Sequence, residues 1–359
     1  MKPTTKRWTR RFLCTFALVL SFLAIAGFTY EQLGRSRDRS HPFRIGQGVD
    51  IGGRAINIDC AGTGSPTVIF EAGGGGRGGY GWKTVQSGVA KFAKACWYDR
   101  AGEGWSDSAP SARNSSMVAN DLHEVLQRMQ IQGPFVLVGH SIGGEYIRIY
   151  TAKFPTDVVG LVLVDSTHPD QREPPLMLSP VNRMPIPARR AMCALLPIAI
   201  RFGVIRFMLR NTSLETPPEF RDHPVEAIRT LRDQLVNGFE TETVQGCTAT
   251  KGGAIQPQSG SGDPEVDEAA RRSGSVGARP LLVLTAGQYW KPANDPVSAE
   301  QISEFHQVWV KQLQASLASL STEGKQLVVE NASHAIPEDA PEAIVAAVYQ
   351  VVEKARAAR

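Results

Sequence analysis

Ser141 stands in Gly139-His140-Ser141-Ile142-Gly143, directly behind the apolar run Pro134-Phe135-Val136-Leu137-Val138. A serine hydroxyl is a weak nucleophile until a base takes its proton and amide donors wait for the oxyanion it creates. The G-x-S-x-G spacing, with a strand before it and a helix after it, fits a nucleophile elbow. So tight a turn forces strained backbone angles on the serine. Glycines two positions to either side remove Cβ atoms that would collide. The hydroxyl then points out above the sheet, at a helix N-terminus whose partial positive charge favours an anion. A chance glycine-serine turn would have no reason to sit between a strand and a helix.

A partner base belongs after the last strand. Of the seven histidines, only His334, in "ENASHAIPEDAPE", stands there. His140 points to the other side of the elbow and reads as structural; His168, His223 and His306 read as surface or packing residues. An oxyanion hole needs two backbone N–H groups. One is that of Ile142, directly after the serine. The other is expected from "AGGGGRGG", residues 72–79, whose four consecutive glycines let backbone approach a substrate closely. Gly74 is the expected donor, with Gly75 next.

Strand-like segments ("RAINIDCAG", "PTVIFEAG", "CWYDR", "FVLVGHS", "VVGLVLVDS", "RPLLVLTAG", "KQLVVENASH") alternate with helix-like ones. Val118, Leu122, Val125, Leu126 and Met129 share one helical face behind serines suited to capping. Further helices are expected around residues 82–95, 142–155 and 298–320. In the final helix, Asp339-Ala340-Pro341-Glu342 predicts a capping box, and Ile344, Val345, Val348, Val351 and Val352 form an apolar stripe. Apolar strands alternating with helices imply a mostly parallel, doubly wound sheet covered on both faces. Residues 168–279 break the rhythm with Pro, Arg and Gly and read as an insertion between two strands, with "GGAIQPQSGSGDPE" a mobile loop. The organisation expected is a leader at 1–40, a core at 41–167, a cap or lid at 168–279, and the remaining core at 280–359.

On "FEAGGGG", "YDRAGEGWSD", "LVGHSIGG", "GLVLVDSTHP" and "ASHAIPEDAPE" the chain resembles the α/β-hydrolase-fold serine hydrolases over residues 45–356, most of 168–279 excepted. The resemblance implies the order nucleophile, acid, histidine. It implies an acid at one of two places: the end of one strand, where Asp165 stands, or the loop after the next, where the usual slot holds Trp290 and Asp295 comes late. Asp165 is the expected acid and Asp295 the alternative; Asp99 reads as holding a turn. Related epoxide hydrolases and dehalogenases use an aspartate nucleophile, and a serine argues against both. Outside the leader, Cys60, Cys96, Cys193 and Cys247 allow three pairings. The implied fold favours Cys60 with Cys96 and Cys193 with Cys247, in competition with free buried thiols.

The 359 residues carry a formal charge of +4, but residues 1–44 hold nine Lys/Arg against Glu31 and Asp38, +7, which leaves −3 for the rest. That distribution gives no nucleic-acid footprint. Residues 12–30 are uncharged behind "KRWTRR" and approach the span of a ~30 Å hydrocarbon core. The segment reads as a single-pass signal anchor holding the catalytic domain outside the cytoplasm. The alternative is a signal peptide cleaved after Ala24-Ile25-Ala26, giving a secreted or periplasmic protein. The function expected is hydrolysis of a hydrophobic small-molecule ester by Ser141, His334 and Asp165, with no metal or organic cofactor. A binding module on the same fold, amide or C–C bond hydrolysis, and a cofactor-free haloperoxidase are the alternatives. Phe202, Phe207, Met208 and Leu209 in the expected lid suggest hydrophobic substrates.

Overall fold

Val68, Ile69, Phe70, Val136, Leu137 and Val138 lie on neighbouring strands with no exposed surface. Strands so apolar need cover on both faces. The computed structural model describes residues 3–40, 44–74, 78–108, 114–171, 185–210, 231, 234, 236, 264–289 and 298–358. Its eight strands form one sheet: β1 (Gln47–Asp50), β2 (Ala55–Ala61), β3 (Thr67–Glu71), β4 (Ala95–Tyr98), β5 (Phe135–His140), β6 (Val158–Val164), β7 (Leu281–Ala286) and β8 (Gly324–Val329), in the order β1-β2-β4-β3-β5-β6-β7-β8. Strands β3 to β8 run parallel, and β2 pairs antiparallel with both β4 and β1. This is the mostly parallel α/β-hydrolase sheet that the sequence led us to expect.

The helices are α1 (Pro3–Ser40), α2 (Lys83–Val89), α3 (Ser115–Arg128), α4 (Ile142–Lys153), α5 (Ile186–Arg201), α6 (Val204–Leu209), α7 (Pro264–Ser273), α8 (Ala299–Val308), α9 (Ala315–Ala318), α10 (Ile336–Asp339) and α11 (Pro341–Ala357). Side chains alternate across each strand, so the sheet has two cores. Val68, Phe70 and Val138 pack with Val85 of α2 and Val348 and Val352 of α11. Ile69 and Leu137 pack on the other side with Leu122 and Leu126 of α3 and Ile147 of α4. Between β6 and β7 lie α5, α6 and α7. Helix α7 joins α3 and α4 through Val266, Ala270, Val118 and Tyr146, and Ser115 Oγ donates to Glu265 at 2.6 Å. Helix α1 holds a stretch, Trp8–Arg37, long and apolar enough to cross a membrane.

Three local expectations need correction. Asn114, not a serine, caps α3: its side chain accepts from Met117 N, which leaves Ser115 and Ser116 inside the first turn. The capping box at Asp339 does not form. Ala340 is the N-cap of α11 and makes no side-chain cap bond, because Asp339 closes α10 and accepts from Ser333 instead. The expected helix over 298–320 widens into a π-helical segment at Trp309–Gln314 between α8 and α9. Gly75, His223, Trp290, Asp295, Cys247 and residues 252–263 lie outside the described residues, as does any Cys193–Cys247 bridge.

Cys60 and Cys96 face each other in the β2–β4 register and form a disulfide across 36 residues of sequence. The bridge ties the antiparallel edge to the parallel sheet. Replacing both cysteines by alanine is expected to lower unfolding free energy by ~2–4 kcal/mol, read from the urea midpoint. Reductant should shift the wild type by a similar amount and leave the variant unmoved.

Candidate active site

The elbow at the end of β5 turns through Ser141 at φ 52°, ψ −128°. Side chains rarely enter that region, and a residue held there costs ~1–3 kcal/mol. Three hydrogen bonds pin it. Ser141 N donates to Val164 O at 3.1 Å, and its own carbonyl accepts from Gly144 N and Thr167 N, both at 3.0 Å. The flanking glycines are required by space. A Cβ on Gly139 would stand 2.5 Å from Gly143 O, and one on Gly143 would stand 2.6 Å from the carbonyls of Glu71 and Ala72.

His334 follows β8 on a short loop. Asp339 holds that loop by accepting from Ser333 N at 2.8 Å and Ser333 Oγ at 2.6 Å. Those two bonds, the side-chain one first, lower the Asp339 pKa. The imidazole bridges two groups far away in sequence. Its Nε2 lies 3.1 Å from Ser141 Oγ, and its Nδ1 lies 2.7 Å from Asp165 Oδ2. An ionised carboxylate can only accept, so Nδ1 carries the proton and the Nε2 lone pair faces the serine. Asp165, at φ 39° beyond β6, is buried. Its Oδ1 accepts from Ala286 N at 2.9 Å and from Trp309 Nε1 at 2.8 Å. The aspartate is thus held by three donors from three elements. The structure therefore brings Ser141, His334 and Asp165 together.

Two histidines read from sequence as structural or packing residues belong to these surroundings. His140 Nε2 lies 2.7 Å from the carbonyl oxygen of His334, and the two rings are 4.8 Å apart. Burial, and then the neighbouring His334, push the His140 pKa down to about 4. Neutral His140 therefore donates from Nε2 and fixes the backbone of His334. His306 on α8 reaches Ala286 O at 3.0 Å and lines the cavity beside the serine.

That cavity measures about 430 Å³. Gly74, Ser141, Ile142 and His334 line it, with Tyr289, Phe305 and Trp309 giving it an apolar wall and Gln171 and Gln288 adding amides. A Cβ on Gly74 would meet nothing within 4 Å, whereas one on Gly73 would stand 3.2 Å from Ser141 Cβ. The glycine loop is braced from below by Arg100, whose guanidinium donates to Ala72 O at 2.5 Å and Gly73 O at 2.6 Å. Arg100 also pairs with Glu71 and Glu103 in the interior. Burial opposes its charge, but Glu103 and Glu71 outweigh burial and raise its pKa further. Asp99 beside it accepts from Gly79 N, Trp105 N and Asn57 Nδ2, which ties together the two turns it faces. Arg100, Trp309 and Tyr289 carry no spacing signal that links them to Ser141; the glycine run and "YDRAG" were the visible traces.

A sequence model described as the alpha/beta hydrolase family matches residues 68–347. An uncharacterised vacuolar membrane protein of Saccharomyces cerevisiae strain YJM789 is 37% identical over 106 residues, 29% of this chain and 16% of that protein. The chain therefore spans only a small part of that relative. The uncharacterised protein YqjL of Bacillus subtilis strain 168 is 23% identical over 291 residues, 81% of this chain and 85% of that one. A candidate lipase from Acinetobacter baumannii AYE superposes with a TM-score of 0.56 at 16% identity, covering 92% of this chain and 97% of that one, a likeness of fold.

Unfolded, a histidine titrates near 6.5; folded His140 titrates near 4. Between those values the unfolded chain binds more protons, so acid favours unfolding and stability rises with pH. His168, also lowered to about 4 by burial, adds to the effect. His140→Gln keeps an amide donor for the His334 carbonyl and removes one titration. Its urea midpoint is expected to fall less than that of the wild type between pH 7 and about pH 4.5, whereas equal falls would remove His140 as a source.

Proposed function

The chain belongs to the alpha/beta hydrolase family, and on that premise we propose that it is a serine hydrolase of carboxylic esters working through an acyl-enzyme. One observation carries the reading: His334 stands 3.1 Å from Ser141 Oγ on one side and 2.7 Å from Asp165 on the other. Asp165 holds the Nδ1–H tautomer and stabilises the imidazolium that forms. Ser141 Oγ attacks the ester carbonyl while His334 Nε2 takes its proton, and the carbonyl electrons move to the oxygen. The amides of Ile142 and Gly74 receive that oxyanion. When the tetrahedral intermediate collapses, the C–O bond breaks and the leaving alkoxide takes the proton from Nε2. Water, deprotonated by His334, then attacks the acyl group and restores Ser141.

The apolar wall of Tyr289, Phe305 and Trp309 supports a hydrophobic small-molecule ester. Residues 168–279 are assigned as a cap. Helix α1 is assigned as a single-pass anchor with the catalytic domain outside the cytoplasm, on the basic residues that precede its apolar run. A Cys60–Cys96 disulfide suits such an oxidising compartment.

With short-chain nitrophenyl esters, Ser141→Ala is expected to remove turnover and labelling by a fluorophosphonate probe. Asp165→Asn is expected to lower kcat by about 10⁴-fold with KM little changed, because the asparagine presents the wrong partner to Nδ1. Circular dichroism checks that both variants fold. Wild-type protein that neither turns over nor labels would leave the binding-module reading instead.

A further inference from the structure

Helix α1 is not free of the rest of the chain. At the outer end of its apolar run it packs on the α5–α6 pair. The Phe28 ring meets Phe202 edge to face at 6.4 Å. A Cβ on Gly27 would lie 2.5 Å from Phe202 O, and one on Gly203 2.9 Å from the Tyr30 ring. One turn further, Glu31 is buried between Arg206 and Arg35, with Nε of each arginine at 3.0 Å. A charge pair satisfied inside this helix contact removes the cost of leaving either charge bare near lipid.

Among the described residues, nothing covers a second face of α5 and α6 in this way. Leu195 and Ile198 on α5, and Val204, Phe207 and Met208 on α6, are between 45% and 68% exposed. Their i, i+3 and i, i+4 spacing gathers them along one stripe of each helix. Residues 185–210 hold five arginines and no acidic residue. Arg201 and Arg210 are exposed, and the Arg210 guanidinium lies 3.7 Å from the centre of the Phe207 ring. An apolar stripe flanked by arginines, whose stems cover the apolar surface while their heads reach outward, is the make-up of a helix lying in a membrane interface.

We propose that the α5–α6 pair is a second membrane-seated element, lying in the outer leaflet beside α1, with Leu195, Ile198, Phe207 and Met208 among the acyl chains and Arg201 and Arg210 on anionic phospholipid headgroups. The depth follows from α1. Gly27 to Tyr30 close an apolar run that begins at Phe12, so whatever packs on them stands at the outer edge of the hydrocarbon. The charge suits anionic lipid. The proposal rests on α1 being the anchor, and it gives the hydrolase a bilayer as its working surface and lipid-dissolved esters as its nearest substrates.

The test uses the full chain in vesicles of phosphatidylcholine and phosphatidylglycerol in equal parts. The photoreactive residue benzoylphenylalanine replaces Phe207, Leu195, Leu20 in α1, or Lys91 on the exposed core surface, one at a time. Phe207 and Leu195 both point outward, so neither exchange disturbs the α1 contact. Lipid adducts at Phe207 and Leu195 should approach the yield at Leu20 and exceed that at Lys91 by at least about tenfold. Adducts at Leu20 alone would overturn the proposal and leave the anchor standing. Adducts at none of the three would overturn both. Adducts at Phe207 to a second copy of the chain, without lipid, would overturn it in favour of a protein contact.

Discussion

The left-handed conformation of Ser141 is the constraint around which the neighbouring segments are arranged. A non-glycine residue at φ 52° relaxes unless its surroundings forbid it. Here the end of β6, the first turn of α4 and Thr167 in the loop beyond β6 all hydrogen-bond to its backbone. The turn also brings Gly143 against the carbonyls that end β3, where no Cβ fits. The same contact sets the distance between the serine and the glycine loop leaving β3. One local geometry thus fixes two parts of the proposed machinery: where the hydroxyl points, and which backbone faces it.

The remaining parts are held by groups that never touch the cavity. Arg100 takes the carbonyls of Ala72 and Gly73, so these point down into the interior and away from the loop's open side. Its charge is kept in a dry site by Glu71 and Glu103, with Tyr98 donating to Glu71. On the other side, Asp339 holds Ser333, and His140 holds the carbonyl of His334. Broken singly, each would leave a buried polar group unpaired or a loop free to shift, and a displacement near 1 Å is enough to weaken a proton transfer.

The elbow and the histidine were legible because their signals are local: glycine spacing, and a position just past the last strand. The parallel sheet was legible because strands buried on both faces cannot hide their composition. The partners of Asp165 were not. Trp309 lies 144 positions away and reaches the carboxylate from a π-helical segment that an ordinary helical pattern does not announce. The misread caps have a simpler cause. Asn114, Ser115 and Ser116 are all fit to cap, and only the path of the chain into α3 decides among them. Asp339 fits a capping box equally well, but tertiary contact gave it Ser333 instead. His140 was read as structural, but a sequence does not show that its ring reaches the carbonyl of a residue 194 positions on.

Helix α1 also contacts the rest of the chain. It packs on the segment inserted between β6 and β7, the same insertion from which Gln171 lines the cavity. The cavity itself is lined by residues from Gly74 to His334, most of them outside that insertion. The central claim is therefore chemical, and a crystal structure of the protein reacted with a fluorophosphonate tests it directly. The account predicts a covalent bond from Ser141 Oγ to phosphorus, with the phosphoryl oxygen at ~2.7–3.1 Å from the amides of both Ile142 and Gly74. An adduct on another residue, or a phosphoryl oxygen turned away from those two amides, would contradict it.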